Sequence, residues 1–193
     1  LDRRCALRVR EAHHAAEVRP GTIWLAPGDA HMEVAGAAEG TAAGNGQDGV
    51  RRAVVQLHQR QSLNHCKPSV DYLFSSAARL YGAGTLALVM TGMGSDGLAG
   101  ARCVHQAGGV GLTQDADTSA VWVMPGRVFQ AGISRQPLPL AELADELTRR
   151  VGHGRGGRGE PVAGHAAATG TAVPRRNANA VSNPQPEVVH GVL

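Results

Sequence analysis

Between residues 91 and 97 the chain reads Thr91-Gly92-Met93-Gly94-Ser95-Asp96-Gly97, three glycines interleaved with two hydroxyls and a carboxylate. Glycine accepts positive φ and lets a backbone approach a ligand closely, while Thr, Ser and Asp supply polar groups at the start of a helix. The stretch follows the apolar run Thr85-Leu86-Ala87-Leu88-Val89-Met90 and precedes a helical pattern, which predicts a strand, a tight loop and a helix start. In an open α/β sheet, ligands bind outside the carboxyl ends of the strands. The spacing argues against two chemistries. A phosphate loop would show G-x-x-x-x-G-K-[ST], which is absent. A nucleophile elbow of the form G-x-S-x-G centred on Ser95 would need glycine where Met93 stands. The Asp96 carboxylate is therefore the group of chemical interest, although on the residues alone Ser95 or Asp96 could equally be the N-cap of the helix that follows.

The elements that must position this loop are read from periodicity. Val70, Leu73, Phe74, Ala77, Leu80 and Tyr81 recur at helical spacing and predict an amphipathic helix over 70–81, entered through Pro68, with Ser69 as its N-cap and Asp71 in its first turn. Leu98, Ala101, Val104 and Ala107 predict a second helix stopped by Gly108-Gly109. Val110-Gly111-Leu112-Thr113-Gln114 reads as the next parallel strand, completing a β-α-β unit. Earlier in the chain the opening residues read as the end of a helix. Residues 7–10, 22–26, 31–34 and 53–57 read as strands, and 11–19 and 58–67 as polar connections. Later, 120–124 reads as a short strand or turn, 127–132 as a short helix, and 141–150 as a last amphipathic helix. The Gly/Ala/Asn mixture from Gly36 to Gly49 predicts a mobile insertion, and the Gly, Arg, Ala, Pro and Asn of residues 151–193 predict a disordered tail after a domain spanning 1–150.

Composition narrows the function classes. Hydrophobic residues make up 42% of the 193 but aromatics only 3%, which predicts an aliphatic core. No apolar run approaches the roughly 18 residues of a membrane span. The net charge of +3 is small and the arginines are not gathered with aromatics, weak grounds for a nucleic-acid partner. Cys5, Cys66 and Cys103 form no C-x-x-C and no signal peptide is evident, so a reducing, cytoplasmic setting is expected. The histidines form neither H-x-x-x-H nor H-E-x-x-H, so no metal site is expected. Trp24 and Trp122 read as packing residues, and Cys66 and Cys103 as buried thiols without a neighbouring base.

Five blocks, taken together and in order, resemble the catalytic domain of chemotaxis protein-glutamate methylesterases of the CheB type. They are Ile23-Trp24-Leu25-Ala26-Pro27-Gly28-Asp29-Ala30-His31-Met32, Pro68-Ser69-Val70-Asp71-Tyr72-Leu73-Phe74, the 91–97 loop, Gln106-Ala107-Gly108-Gly109, and Gln114-Asp115 followed by Met124-Pro125. The resemblance spans about residues 1–147. It implies a doubly wound α/β domain with a mostly parallel sheet and helices on both faces. It also implies hydrolysis of glutamate γ-methyl esters on the cytoplasmic segments of methyl-accepting chemoreceptors, with glutamine deamidation in many members and no cofactor. The family uses a Ser-His-Asp triad. Its aspartate falls on Asp96, and the methionine whose backbone N–H helps bind the oxyanion falls on Met93, with Thr91, Gly92, Gly94 and Gly97 supporting the loop.

The departures matter as much. The family's serine lies in a Gly/Ser/Thr-rich loop and its histidine in a Gln-His-Met block, and no residue of this chain matches either. His31-Met32 belongs to the separate Ala-Pro-Gly-x-x-His block and is not assigned to the triad. The family's glycine before Met-Pro is Val123 here. The expectation is that residues 1–193 are the C-terminal part of a longer methylesterase, with a receiver domain upstream in phosphorylation-controlled members, and that this portion alone is inactive as an esterase. Two alternatives stand beside it: a non-catalytic relative of the same fold that binds a receptor or other partner, and a generic α/β domain holding an anion at a helix N-terminus.

Overall fold

The computed structural model describes residues 2–4, 6–37 and 52–153. The expected insertion at 36–49 lies largely outside the described residues, as does the expected tail beyond His153. After a 3₁₀ turn over Asp2–Arg4, the strands are β1 (Arg8–Glu11), β2 (Glu17–Val18), β3 (Thr22–Leu25), β4 (His31–Gly36) and β5 (Ala53–His58). Helix α1 (Val70–Tyr81), β6 (Leu86–Val89), α2 (Leu98–Gln106), β7 (Val110–Gln114), α3 (Met124–Gln130), β8 (Pro137–Leu138) and α4 (Leu140–His153) follow. The fold is α/β. Its ladders fall into three groups: β1 parallel to β3, an antiparallel ribbon in the order β2-β5-β4, and the parallel set β6-β7-β8.

The β6-α2-β7 unit forms as its sequence predicts, with Leu86 opposite Val110 and Val89 opposite Thr113. Helix α1 buries Leu73, Phe74, Ala77 and Ala78, and α2 buries Gly100, Ala101 and Val104. The two helices pack on each other, and α1 also lies on β4. That second contact is pinned by Ser76, whose Oγ accepts the N–H of Val34 at 3.0 Å and donates to the Leu73 carbonyl at 2.8 Å. The core is aliphatic, as composition requires, and centres on Met32, Val34, Val55, Leu73, Val89, Val104 and Val128 with Phe74 among them.

Several boundaries differ from the sequence reading for physical reasons. The 11–19 connection contains β2, two residues that are a strand only because Glu17 and Val18 pair with Val54 and Ala53. The 120–124 run makes one bridge, Trp122 to Gly92, and then turns into α3, which starts at Met124 with Pro125 in its first turn, a position where the missing N–H of proline costs nothing. Residues 137–138 join β7 as β8, and α4 begins at Leu140, one residue before the expected 141–150, and runs on to His153.

Candidate active site

The 91–97 loop leaves β6 after the buried Val89 and is stitched to the segment before α3. The N–H of Thr91 donates to Gln114 Oε1 at 2.9 Å, and the N–H of Val121 donates to Thr91 Oγ1 at 2.9 Å. The N–H of Gly92 donates to the Val121 carbonyl, and the Gly92 carbonyl accepts the N–H of Met124. Gln114 is itself fixed, because its side-chain amide donates to the Thr118 carbonyl at 2.8 Å. Two left-handed residues, Gly94 at φ 98° and Gly97 at φ 87°, then turn the chain so that the Asp96 side chain points back toward α1. Ser95 donates from Oγ to Asn64 Oδ1 at 3.1 Å.

Asp96 is 4% exposed and holds three donors from the start of α1. Its Oδ1 accepts the Ser69 hydroxyl at 2.6 Å and the Asp71 N–H at 3.3 Å, and its Oδ2 accepts the Val70 N–H at 2.7 Å. This corrects two expectations. Asp96 does not cap the helix that follows it; α2 starts at Leu98, with Gly97 at the N-cap position and no side-chain cap. Nor does Ser69 cap α1 with its own hydroxyl; the cap is the Asp96 carboxylate, supplied from 26 residues along the chain to Val70. A negative group at a helix N-terminus is favoured both by the orphan N–H groups and by the helix dipole. Asp71 is also buried and faces the other way. Its carboxylate accepts the Gly100 N–H at 2.7 Å and an Asn64 N–H at 2.9 Å, joining α1 to α2. Burial, with the Asp96 charge beside it, holds Asp71 above the usual carboxylate range.

His31 lies behind this arrangement, fully buried, with Nδ1 accepting the Ser69 N–H at 3.2 Å. Its ring packs against His58 and Tyr72, with centroids 5.3 and 4.7 Å apart. Glu33 on the same strand pairs with Arg60, Arg79 and His58. Burial pushes both imidazoles below the ordinary histidine value of 6.5. For His31 the Lys67 charge adds to the effect, while the Arg60 backbone and the Asp96 charge oppose it; for His58, Arg60 adds and Glu33 opposes. Each ring thus binds a proton more weakly folded than unfolded. Their contribution to stability is complete above the unfolded value and is lost as pH falls through the folded ones. Stability, measured by denaturation from about pH 8 to about pH 5, is expected to fall below about pH 6.5, with a slope of at most about 1.4 kcal/mol per pH unit for each imidazole. A flat profile there would show the rings to be solvated. Asp71 acts in the opposite sense, destabilising as pH rises through the acid range.

A cleft of about 420 Å³ opens beside the carboxylate, lined by Leu25, Ala26, Cys66, Val70, Asp96 and Met124 among others. Cys66 is not set up as a nucleophile: burial and the nearby Asp96 and Asp71 charges push its thiol up, which disfavours the thiolate. Met93 projects outward, 77% exposed, and among the described residues no acceptor engages its N–H. The two tryptophans serve the framework: Trp24 packs edge-on against His13, and Trp122 donates from Nε1 to the Gln114 carbonyl. The sequence reading missed the roles of Asn64 and of the Ser69 hydroxyl. The partners of both are distant in sequence, and no local pattern marks them.

The family model for CheB methylesterase matches residues 1–147. The chain belongs to the CheB methylesterase family. Its relatives include proteins named protein-glutamate methylesterase/protein-glutamine glutaminase from a Nocardioides strain, 44% identical over 80% of this chain, and from Trichodesmium erythraeum, 39% identical over 79%. The chain spans 39% and 40% of the length of these two curated relatives. The crystal structure of the Thermotoga maritima CheB methylesterase catalytic domain matches with a TM-score of 0.69 at 32% identity, covering 78% of this chain and 73% of that one. The α/β fold is therefore that of the CheB family. Among the described residues, no helix is long and apolar enough to cross a membrane.

Proposed function

We propose that residues 1–150 are the C-terminal portion of a cytoplasmic protein-glutamate methylesterase domain, with Asp96 as the carboxylate of its Ser-His-Asp triad. The substrate is the glutamate γ-methyl ester of a chemoreceptor segment, and glutamine deamidation is the parallel reaction of the same site. One observation carries the reading: a buried aspartate, locked by three donors, borders an open cleft and keeps lone-pair capacity on Oδ2. Such a carboxylate orients an imidazole through its N–H and stabilises the imidazolium that forms as serine attacks.

The serine and histidine come from a segment outside these 193 residues. The histidine takes the serine proton as Oγ attacks the ester carbonyl. The Met93 N–H, exposed at the glycine turn, donates to the tetrahedral oxyanion. The imidazolium returns its proton to the departing methoxide, releasing methanol, and water then cleaves the acyl-enzyme to free glutamate. The full-length protein, incubated with methylated receptor segments, is expected to release methanol. Binding of those segments without any methanol would instead identify a non-catalytic relative.

A further inference from the structure

The hydrogen bonds around Asp96 continue one residue beyond what holding a carboxylate requires. Ser69, 1% exposed, is bonded at both ends: its Oγ–H donates to Asp96 Oδ1 at 2.6 Å, and its N–H donates to His31 Nδ1 at 3.2 Å. His31 is 0% exposed, and its Nε2 has no partner among the described residues. An imidazole that accepts at Nδ1 carries its proton on Nε2 when neutral, so toward Ser69 the ring acts as an acceptor.

The lone pairs of Asp96 are used unequally. Oδ1 takes two donors, the Ser69 hydroxyl and the longer bond from Asp71, while Oδ2 takes only the Val70 N–H. Each carboxylate oxygen can accept about two hydrogen bonds, so Oδ2 is the oxygen with room. Without the Ser69 hydroxyl, Oδ1 would keep only the 3.3 Å bond, and the two oxygens would become near equivalents.

We propose that Ser69 and His31 are positioning residues: the Ser69 hydroxyl fills Oδ1 of Asp96, and His31 holds the Ser69 backbone in place, so that Oδ2 is the oxygen presented to the incoming imidazole N–H. This rests on the triad reading of Asp96. Neither residue touches substrate; both act through the carboxylate. A catalytic geometry loosened in this way lowers turnover while leaving ground-state binding intact.

The test uses the full-length enzyme with methylated receptor segments. Ser69→Ala is expected to lower kcat for methanol release roughly tenfold to a hundredfold, the scale of one charge-assisted hydrogen bond, with KM unchanged. The far-downfield proton resonance of the imidazole–carboxylate hydrogen bond should move in the same variant. His31→Asn, which keeps an acceptor for the Ser69 N–H, should retain more kcat than His31→Leu. Parental kcat and an unmoved resonance in Ser69→Ala overturn the proposal, as does a change confined to KM. If Ser69→Ala fails to fold, Ser69→Cys decides, since it keeps the shape with a weaker donor: an intermediate kcat supports the role and a parental one removes it. Asp96→Asn in parallel separates the two levels. Full activity there removes the triad reading itself; loss there with none in Ser69→Ala removes only the positioning role.

Discussion

Replacing Asp96 in the full-length enzyme is expected to reduce methanol release about 10⁴-fold, the loss seen when a triad histidine is deprived of its orienting carboxylate. Asp96→Asn and Asp96→Ala should both show it, for different reasons. The asparagine amide would offer N–H to an imidazole N–H and to one of the three α1 donors, so the tautomer is wrong and a buried donor loses its acceptor. The alanine leaves the Ser69 hydroxyl and the Val70 and Asp71 N–H groups without their carboxylate. The alanine also removes the helix cap, which costs about 1–2 kcal/mol of stability, whereas the asparagine keeps one acceptor oxygen for it. A 10⁴-fold rate loss corresponds to about 5.5 kcal/mol, well above the cap. Measuring activity beside denaturant unfolding therefore separates the roles. A rate loss no larger than the loss of folded protein would leave Asp96 as a cap alone.

The parts of this site legible in the sequence are those with local causes. Helices α1 and α2 announce themselves through residues three and four apart, and β6 and β7 through short runs that follow glycines. Asp96 could be singled out because the competing chemistries of its loop each lacked a required residue. Its direction could not. Whether a carboxylate at a loop–helix junction caps its own helix or a helix about 26 residues earlier depends on where the second helix lies, which is set by packing between Gly100 and α1 and by two left-handed glycines. The same holds for β2 and β8, two-residue strands that exist only through their partners. The apolar 120–124 run reads as a short strand or turn, the strand option resting on the strand propensity of Val121, Trp122 and Val123. Tertiary hydrogen bonds to Thr91 and Gly92, and Pro125 in the first turn, make it a single bridge and a helix start instead.

Gly100→Ala should therefore damage both the fold and the site. A Cβ at Gly100 would stand 2.6 Å from the Phe74 Cβ, 3.0 Å from the Asp71 Cα and 3.1 Å from the Asp71 carbonyl oxygen. These are atoms of the first turns of α1, which cannot rotate away as a flexible side-chain end would. Alanine gains about 1 kcal/mol over glycine in helix propensity, but overpacking a close contact costs typically 1–3 kcal/mol and sits at the upper end where backbone must move. A net destabilisation of roughly 1–2 kcal/mol is expected, lowering Tm by about 2–8 °C in a chain of this size. Displacing the start of α1 also strains the Gly100 N–H to Asp71 bond and carries the Val70 and Asp71 donors away from Asp96. Methanol release at a temperature where the variant is fully folded should thus fall as well. Gly152→Ala on α4 provides the comparison, since a Cβ there meets no atom within 4 Å and the change should be neutral or mildly stabilising. Equal melting and equal turnover for Gly100→Ala and the parent would mean that the α1–α2 contact tolerates a methyl group, and that the Asp96 cap holds the junction without it.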